Sequence, residues 1–510
     1  MKKLILGIEL GSTRIKSVFT DENAKVLAQG SYEWENVLVD GLWSYSMDKV
    51  WEGLSASYTD LIASYGKPVE KIDAMGVSAM MHGYLAFDED GKLLAPFRTW
   101  RNTNTAKASE ELSELFNFNV PMRWSVSQYY QSVLDGLAHV KKVRSLHTLA
   151  SYVHFKLTGN NVIGIDDASG MFPVNYTDYQ PEMMAAFNAL LKKKGLDVDF
   201  KTMLPKVMLA GQNAGSLTED GAALLDKSGT LKSCPVFCPP EGDMGTGMVA
   251  TNSVAVRTAN VSAGTSANFT LILEKPLKNK YKEIDVVATP DGYPAALVHN
   301  NTCTTEINAW ANLFEEVIAL SGNKMNKGEL FNALFKSYNN ADDNLGITGY
   351  NLMAGEPVIG FESGKPVYIR ELDGKLTLAN FMKMQIYSAL ATTAIGVDIL
   401  KNEGVAIDMV YGHGGFFKTE FVGQNALSSA VDAPVAVLDN AGEGGAWGIA
   451  ILALYVLDNK LPLGKFLDGL FKDCKKTVVR AKEKDVENFT AFIKDYKKYL
   501  PVLKQAVNIK

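Results

Sequence analysis

Two acids and two small-residue turns are the parts of this sequence best suited to group-transfer chemistry. Glu241 and Asp243 stand in the run Pro239-Pro240-Glu241-Gly242-Asp243-Met244-Gly245-Thr246-Gly247. Its three glycines weaken regular structure and predict a loop rather than a helix or strand interior. Further on, Gly264-Thr265-Ser266 makes a second small-residue turn. A carboxylate at one loop can accept the proton of an attacking hydroxyl. Backbone N–H groups and hydroxyls at another can cradle a phosphate. A base and a phosphate cradle in one chain are the ingredients of phosphoryl transfer.

The elements that would position these groups can be read around them. Residues 4–10 are apolar except for Glu9, Gly11-Ser12-Thr13 turns the chain, residues 15–19 return, and residues 26–32 complete a three-strand meander. Small residues at the first hairpin tip leave backbone donors and two hydroxyls to face an anion, and Glu9 just before it is placed to hold a magnesium ion through water. The plain alternative is a hairpin whose Glu is a solvated edge charge. The pattern recurs at residues 257–263, Gly264-Thr265-Ser266 and residues 268–274. Two such matches, each opening one half of the chain, predict a duplicated domain with a cleft between the copies, and two tips gripping one polyphosphate would give the duplication a purpose.

Other stretches gain meaning only in this company. A strand at 72–79 ends in Met80-Met81-His82-Gly83, where a histidine beside glycine could offer a donor to a polar ligand. Trp100-Arg101-Asn102 would suit a sugar, with one apolar face and several donors, although Trp-Arg pairs are also common at core edges. Residues 128–159 read as helical, and a short strand at 235–238 delivers Asp243, as active-site groups commonly lie on loops past strand ends. In the second half, a strand at 409–411 breaks into Gly412-His413-Gly414-Gly415 before a helix at about 419–430; strand, glycine loop and helix let backbone approach a nucleotide closely. The small residues of 442–448 predict a helix start that packs closely at a domain interface, and residues 472–510 read as a charged helical tail.

The bulk numbers bound these readings. A chain of 510 residues exceeds one hydrophobic core, so two large domains are expected, divided as 1–252 and 253–510 with the helical tail from about 456. With 47% hydrophobic and 21% charged residues it is ordinary globular protein. A net charge of -6 leaves no basic surplus for nucleic acid. Glu9 interrupts the N-terminal apolar run before it could serve as a signal peptide, and the late apolar run at 446–457 is shorter than the roughly 20 residues of a membrane span. No membrane association and a cytoplasmic location are expected. Cys234 and Cys238 lie close together, but with no second Cys or His pair at zinc spacing, all four cysteines, Cys303 and Cys474 included, read as free thiols.

Taken together and in order, these motifs resemble the FGGY carbohydrate kinases of the actin-like, ribonuclease-H-like ATPase fold. The resemblance runs over roughly residues 4 to 455. It implies an α/β chain of two duplicated ribonuclease-H-like domains with a catalytic cleft between them, and phosphorylation of a sugar by ATP with Mg2+. Gly242-Asp243 looks like the loop of the catalytic base. Gly11, Ser12 and Thr13, with Lys16, look like the first phosphate loop and Gly264, Thr265 and Ser266 like the second. Gly412, Gly414 and Gly415, with Gln424, look like the adenosine site. Met81, His82 and Gly83 are similar to the sugar-contacting Met-His-Gly of xylulokinases, with Trp100, Arg101, Asn102 and Asp243 completing the implied sugar site, and Glu9 and Asp243 the implied metal site. Gly445-Ala446 is similar to an interdomain helix. Three positions depart from the xylulokinase pattern: Glu9 and Asn102 stand where Asp is usual, and Met244 where Asn is usual. Met81-His82-Gly83 favours a ketopentose such as xylulose, ahead of ribulose, other ketoses and polyols; the rival from another class is a sugar- or nucleotide-sensing protein that has lost turnover. The oligomeric state stays open, with a homodimer compatible with the resemblance.

Overall fold

The computed structural model describes residues 3–439 and 444–509. They fall into two compact units. The first comprises residues 3–254, 286–295 and 444–473, and the second 255–285, 296–439 and 474–509. The chain leaves the first unit after Val254, close to the division expected at 252. The helix Gly445–Leu457 packs with the first unit, although it follows the second in sequence.

In the first unit the strands Ile5–Leu10, Arg14–Thr20 and Val26–Glu33 form the antiparallel meander. Ile5–Leu10 pairs on its other side, in parallel, with Ala74–Ala79, and Glu241–Gly242 adds a parallel edge to that strand. Ile5, Leu6, Ile8 and Leu10 are all buried, as the near-continuous apolar run of a strand covered on both faces requires. Helix Met47–Tyr65 lies along Val26–Glu33 and buries Val50, Leu54, Tyr58 and Leu61, spaced at three and four residues as one helical stripe must be. Helix Gly445–Leu457 packs against Ile5–Leu10 and Ala74–Ala79, and its sides are buried all round from Gly445 to Tyr455, which explains why its sequence is apolar without an amphipathic period.

The second unit repeats the scheme. Thr258–Ala263 and Ala267–Ile272 form an antiparallel hairpin, and Thr258–Ala263 pairs in parallel with Met409–His413. Within this unit the sheet runs residues 296–300, Ala267–Ile272, Thr258–Ala263, Met409–His413, Val435–Leu438, Lys476–Val479. Helix Leu378–Asn402 packs into its core with Met384, Ile386, Leu390 and Val397. The C-terminal segment differs from a uniformly solvated helix: strand Lys476–Val479 closes the sheet edge, and helix Glu483–Asn508 inserts Phe489, Phe492, Ile493 and Tyr496 into the core.

Two local expectations change. The stretch 128–159 is not one helix but Ser125–Leu134, a 3-10 turn Ala138–Lys142, the strand Ser145–His147 and helix Leu149–Thr158, the last opened by a Thr148 capping box. The glycine-rich run at Asp243 is a helix, Asp243–Ala250, for a reason given below. Among the described residues no helix is long and apolar enough to cross a membrane.

Candidate active site

In the first unit Asp243 opens its helix directly after the edge strand Glu241–Gly242. The Met81 amide donates to Asp243 Oδ1 at 3.2 Å, tying the acid to the loop that follows strand Ala74–Ala79. Asp243 keeps an exposed surface, yet the protein packed around it raises its carboxyl above the ordinary value against the pull of backbone N–H groups, among them that of Met81. The helix contradicts the loop expected from three glycines, because two of those glycines serve contacts. A Cβ on Gly242 would lie 2.2 Å from Met81 Cγ, and one on Gly245 would lie 2.5 Å from Asp166 Cγ. Close approach, not a turn, selects glycine here.

Glu9 occupies the next-to-last position of Ile5–Leu10, opposite Lys16 in the hairpin register. Its Oε2 accepts from the Ala446 amide at 3.3 Å, at the N-terminus of helix Gly445–Leu457, and a Cβ on Gly445 would stand 2.3 Å from Oε1. Burial, and then the charge of Asp243, push the Glu9 carboxyl up to about 7, while the Ala446 amide, Lys16 and the Gly445 amide oppose the rise. The helix expected at a domain interface therefore acts inside the first unit, as the seat of Glu9. Of the residues 442–448 that suggested it, Gly442 and Glu443 lie outside the described residues.

The first hairpin turn is held by its carbonyls. Trp34 Nε1 donates to Gly11 O at 2.7 Å, Tyr45 Oη to Ser12 O at 2.6 Å, and the Trp34 amide to Thr13 O at 3.1 Å. Three carbonyls of the turn are thereby drawn into the protein. The same device serves the second turn in the second unit. Thr304 donates to Gly264 O from both its amide (3.0 Å) and its hydroxyl (2.8 Å), and the Cys303 amide donates to Thr265 O at 2.8 Å. Gly414, at φ 99°, lies so close to this hairpin that a Cβ would stand 2.4 Å from Ala263 O. The structure thus brings the Gly264 turn and the exposed Gly414-Gly415 loop together. Gly412 is buried against the Phe417 ring and supports the loop from beneath.

The sugar candidates divide. His82 is buried with φ 68°, a strained conformation for a non-glycine residue. Its Nε2 accepts from Arg123 Nε at 3.0 Å, its Nδ1 lies 3.4 Å from Gly170 O, and its ring stacks with Trp124. If Nε2 accepts, the proton is on Nδ1 and faces Gly170. Met81 and Gly83 flank it, Gly83 with Phe97 beneath. Arg101 instead stacks on Trp43, 4.0 Å from its ring centre, and donates to Asn36. Trp100 is exposed. Asn102 is buried and spends its amide on Trp43 and Thr99: Nδ2 donates to both carbonyls and Oδ1 accepts from the Trp43 amide. Asn102 thereby clamps the hairpin of Val37–Val39 and Leu42–Ser44. Gln424 has a similar fate. Its Nε2 donates to Val435 O (3.1 Å) and Thr477 O (3.0 Å), and its Oε1 accepts from Thr477 Oγ1. This buried amide ties helix Val422–Val431 to two strands.

Two residues beside the site escaped the sequence reading. Arg123 follows an irregular Pro121-Met122 segment with no periodic signal. Asp166, with its neighbour Asp167, did leave one, since two adjacent acids among Ile163, Gly164, Ile165 and Ala168 suggest buried carboxyls. Both are buried, with Glu241 beside them; burial raises all three carboxyls, Asp167 to about 8.

Comparison with known proteins agrees with the repeated topology. The N-terminal domain model of the FGGY family of carbohydrate kinases matches residues 4–238, and its C-terminal domain model matches residues 259–457. The chain belongs to the FGGY family of carbohydrate kinases. FGGY relatives include a xylulose kinase of Haemophilus influenzae, 22% identical over 478 residues, covering 89% of this chain and 90% of the relative. Among solved structures, a gluconate kinase from Lactobacillus acidophilus superposes with a TM-score of 0.81 at 14% identity, and a ligand-bound xylulose kinase from Lactobacillus acidophilus with 0.80 at 13%, each covering 99% of both chains. These structures share the two-domain FGGY fold, and membership of the family makes the chain an ATP-dependent sugar kinase.

Proposed function

We propose that this kinase transfers the γ-phosphoryl group of ATP to a hydroxyl of a ketopentose such as xylulose, with Asp243 as the general base. The observation that carries the reading is the placement of Asp243: an accessible carboxyl group, held by the Met81 amide at the His82 loop, with burial raising it above the ordinary value. In the forward step the sugar hydroxyl gives its proton to Asp243 as its oxygen attacks the γ-phosphorus. The bond to the β-phosphate oxygen breaks and ADP leaves. Arg123 and His82 offer polar groups to orient the sugar, and the donor faces of the two hairpin turns suit phosphate oxygens.

The donor set fits magnesium. Glu9 and Asp243 are near enough for one charge to raise the other, and Mg2+ is usually held by one or two carboxylates with water and substrate phosphates completing its shell. Among the described residues no group of three or more His, Cys, Asp or Glu could hold a metal. When bound, the ion would offset phosphate charge.

An ADP-release assay over D-xylulose, D-ribulose, D-gluconate and glycerol tests the substrate, with D-xylulose expected to give the highest kcat/KM. Asp243→Asn tests the base. Loss of the proton acceptor should lower kcat by about 10²- to 10⁴-fold with the KM for ATP little changed; wild-type turnover in that variant would remove Asp243 from the role.

A further inference from the structure

The helix that carries Asp243 begins without a cap of its own. Its N-cap residue is Gly242, which has no side chain to cap the Gly245 amide. Asp166 does so from another element. Lying in the short helix Ile165–Ser169, its Oδ2 accepts from the Gly242 amide at 3.0 Å and from the Gly245 amide at 3.1 Å. These are the N-cap and N3 positions, the two donors on either side of Asp243 that a capping box would normally serve. The approach is close enough that a Cβ on Gly245 would collide with the Asp166 carboxyl group. Asp166 has no exposed surface, and its second oxygen, Oδ1, is buried without a hydrogen-bond partner. Leaving a buried carboxyl oxygen without a partner is costly, a cost that capping for stability alone does not require.

We propose that Asp166 is a positioning residue for the kinase reaction, fixing the first helical turn so that the Asp243 carboxylate meets the attacking hydroxyl; the proposal rests on Asp243 acting as the base. The turn is gripped from two directions. Asp166 holds the backbone at Gly242 and Gly245, and the Met81 amide holds the side chain between them. Releasing the backbone grip lets the carboxylate drift while the nucleotide-binding turns, which lie on other elements, stay as they are. A displacement of about 1 Å at a reacting group can cost about 100-fold in rate.

The test is steady-state kinetics of the full-length enzyme with ATP and whichever of D-xylulose, D-ribulose, D-gluconate or glycerol has the highest kcat/KM. Asp166→Ala should lower kcat about 10- to 100-fold with the KM for ATP unchanged. Asp166→Asn, whose amide oxygen can accept both backbone bonds, should recover most of that loss. Asp166→Glu, one methylene too long, should not, and it decides the matter if Asp166→Ala does not fold. A lowered melting temperature with wild-type kcat in Asp166→Ala, or in Asp166→Glu, would overturn the proposal. Asp243→Asn run alongside separates the two assignments: if it is inactive while the Asp166 variants turn over normally, only the positioning role falls, whereas an active Asp243→Asn removes the base itself.

Discussion

At the scale of single residues, side-chain type alone proved a poor guide to which polar groups remain available for a ligand. Asn102 and Gln424 carry amides suited to a sugar or an adenine, and both are consumed by neighbouring backbone. Nothing local announces this, because the partners of Gln424 lie as far off as Thr477. Glu9 and Asp243 each meet a backbone amide from another element, Glu9 that of Ala446 and Asp243 that of Met81. The contrast yields a prediction. Gln424→Ala removes the hydrogen bonds that tie helix Val422–Val431 to Val435 and Thr477 and should destabilise the fold by about 1–3 kcal/mol in denaturant titration, while the KM for ATP stays at the wild-type value. A KM raised many-fold with unchanged stability would return Gln424 to the nucleotide site.

At the scale of elements, the alternation of apolar residues and small-residue turns made both hairpins and their parallel partners legible. Residues 4–10 and 257–263 became Ile5–Leu10 and Thr258–Ala263, each joined to a third strand that ends in the expected loop. The misreadings came where glycine or helical periodicity was judged without its surroundings. Gly242 and Gly245 break no helix because Met81 and Asp166 press against them, and the strand Ser145–His147 interrupts a helix-like pattern because it pairs with Leu85–Phe87. The same reasoning makes Gly414 indispensable. Its φ of 99° disfavours any side chain, and a Cβ would strike Ala263 O, next to the Gly264 turn. Gly414→Ala should push the glycine loop and that turn apart, raising the KM for ATP about tenfold or more for a distortion worth about 1–3 kcal/mol. Initial-rate measurements at saturating sugar check this, and an unaltered KM would show that the loop lies outside the nucleotide site.

At the scale of the whole molecule, two features act at different ranges. The duplicated turns present donors only to what touches them, since backbone dipoles reach little beyond contact. Net charge acts further out. At -6 the chain repels a polyanion such as ATP during approach, a long-range effect that salt screens, with a Debye length of about 10 Å at 0.1 M. Short-range hydrogen bonds in the turns are screened far less. It follows that the attraction needed for ATP must come from local donors, with Lys16 on the first hairpin among them, and not from a cationic surface. The KM for ATP at fixed free magnesium should therefore fall slightly, or hold level, as potassium chloride is raised from about 20 to about 200 mM. A basic surface that gathers the nucleotide would give the opposite, a KM climbing steeply with salt, and that outcome would shift the weight of ATP recognition from the backbone turns to side-chain charge.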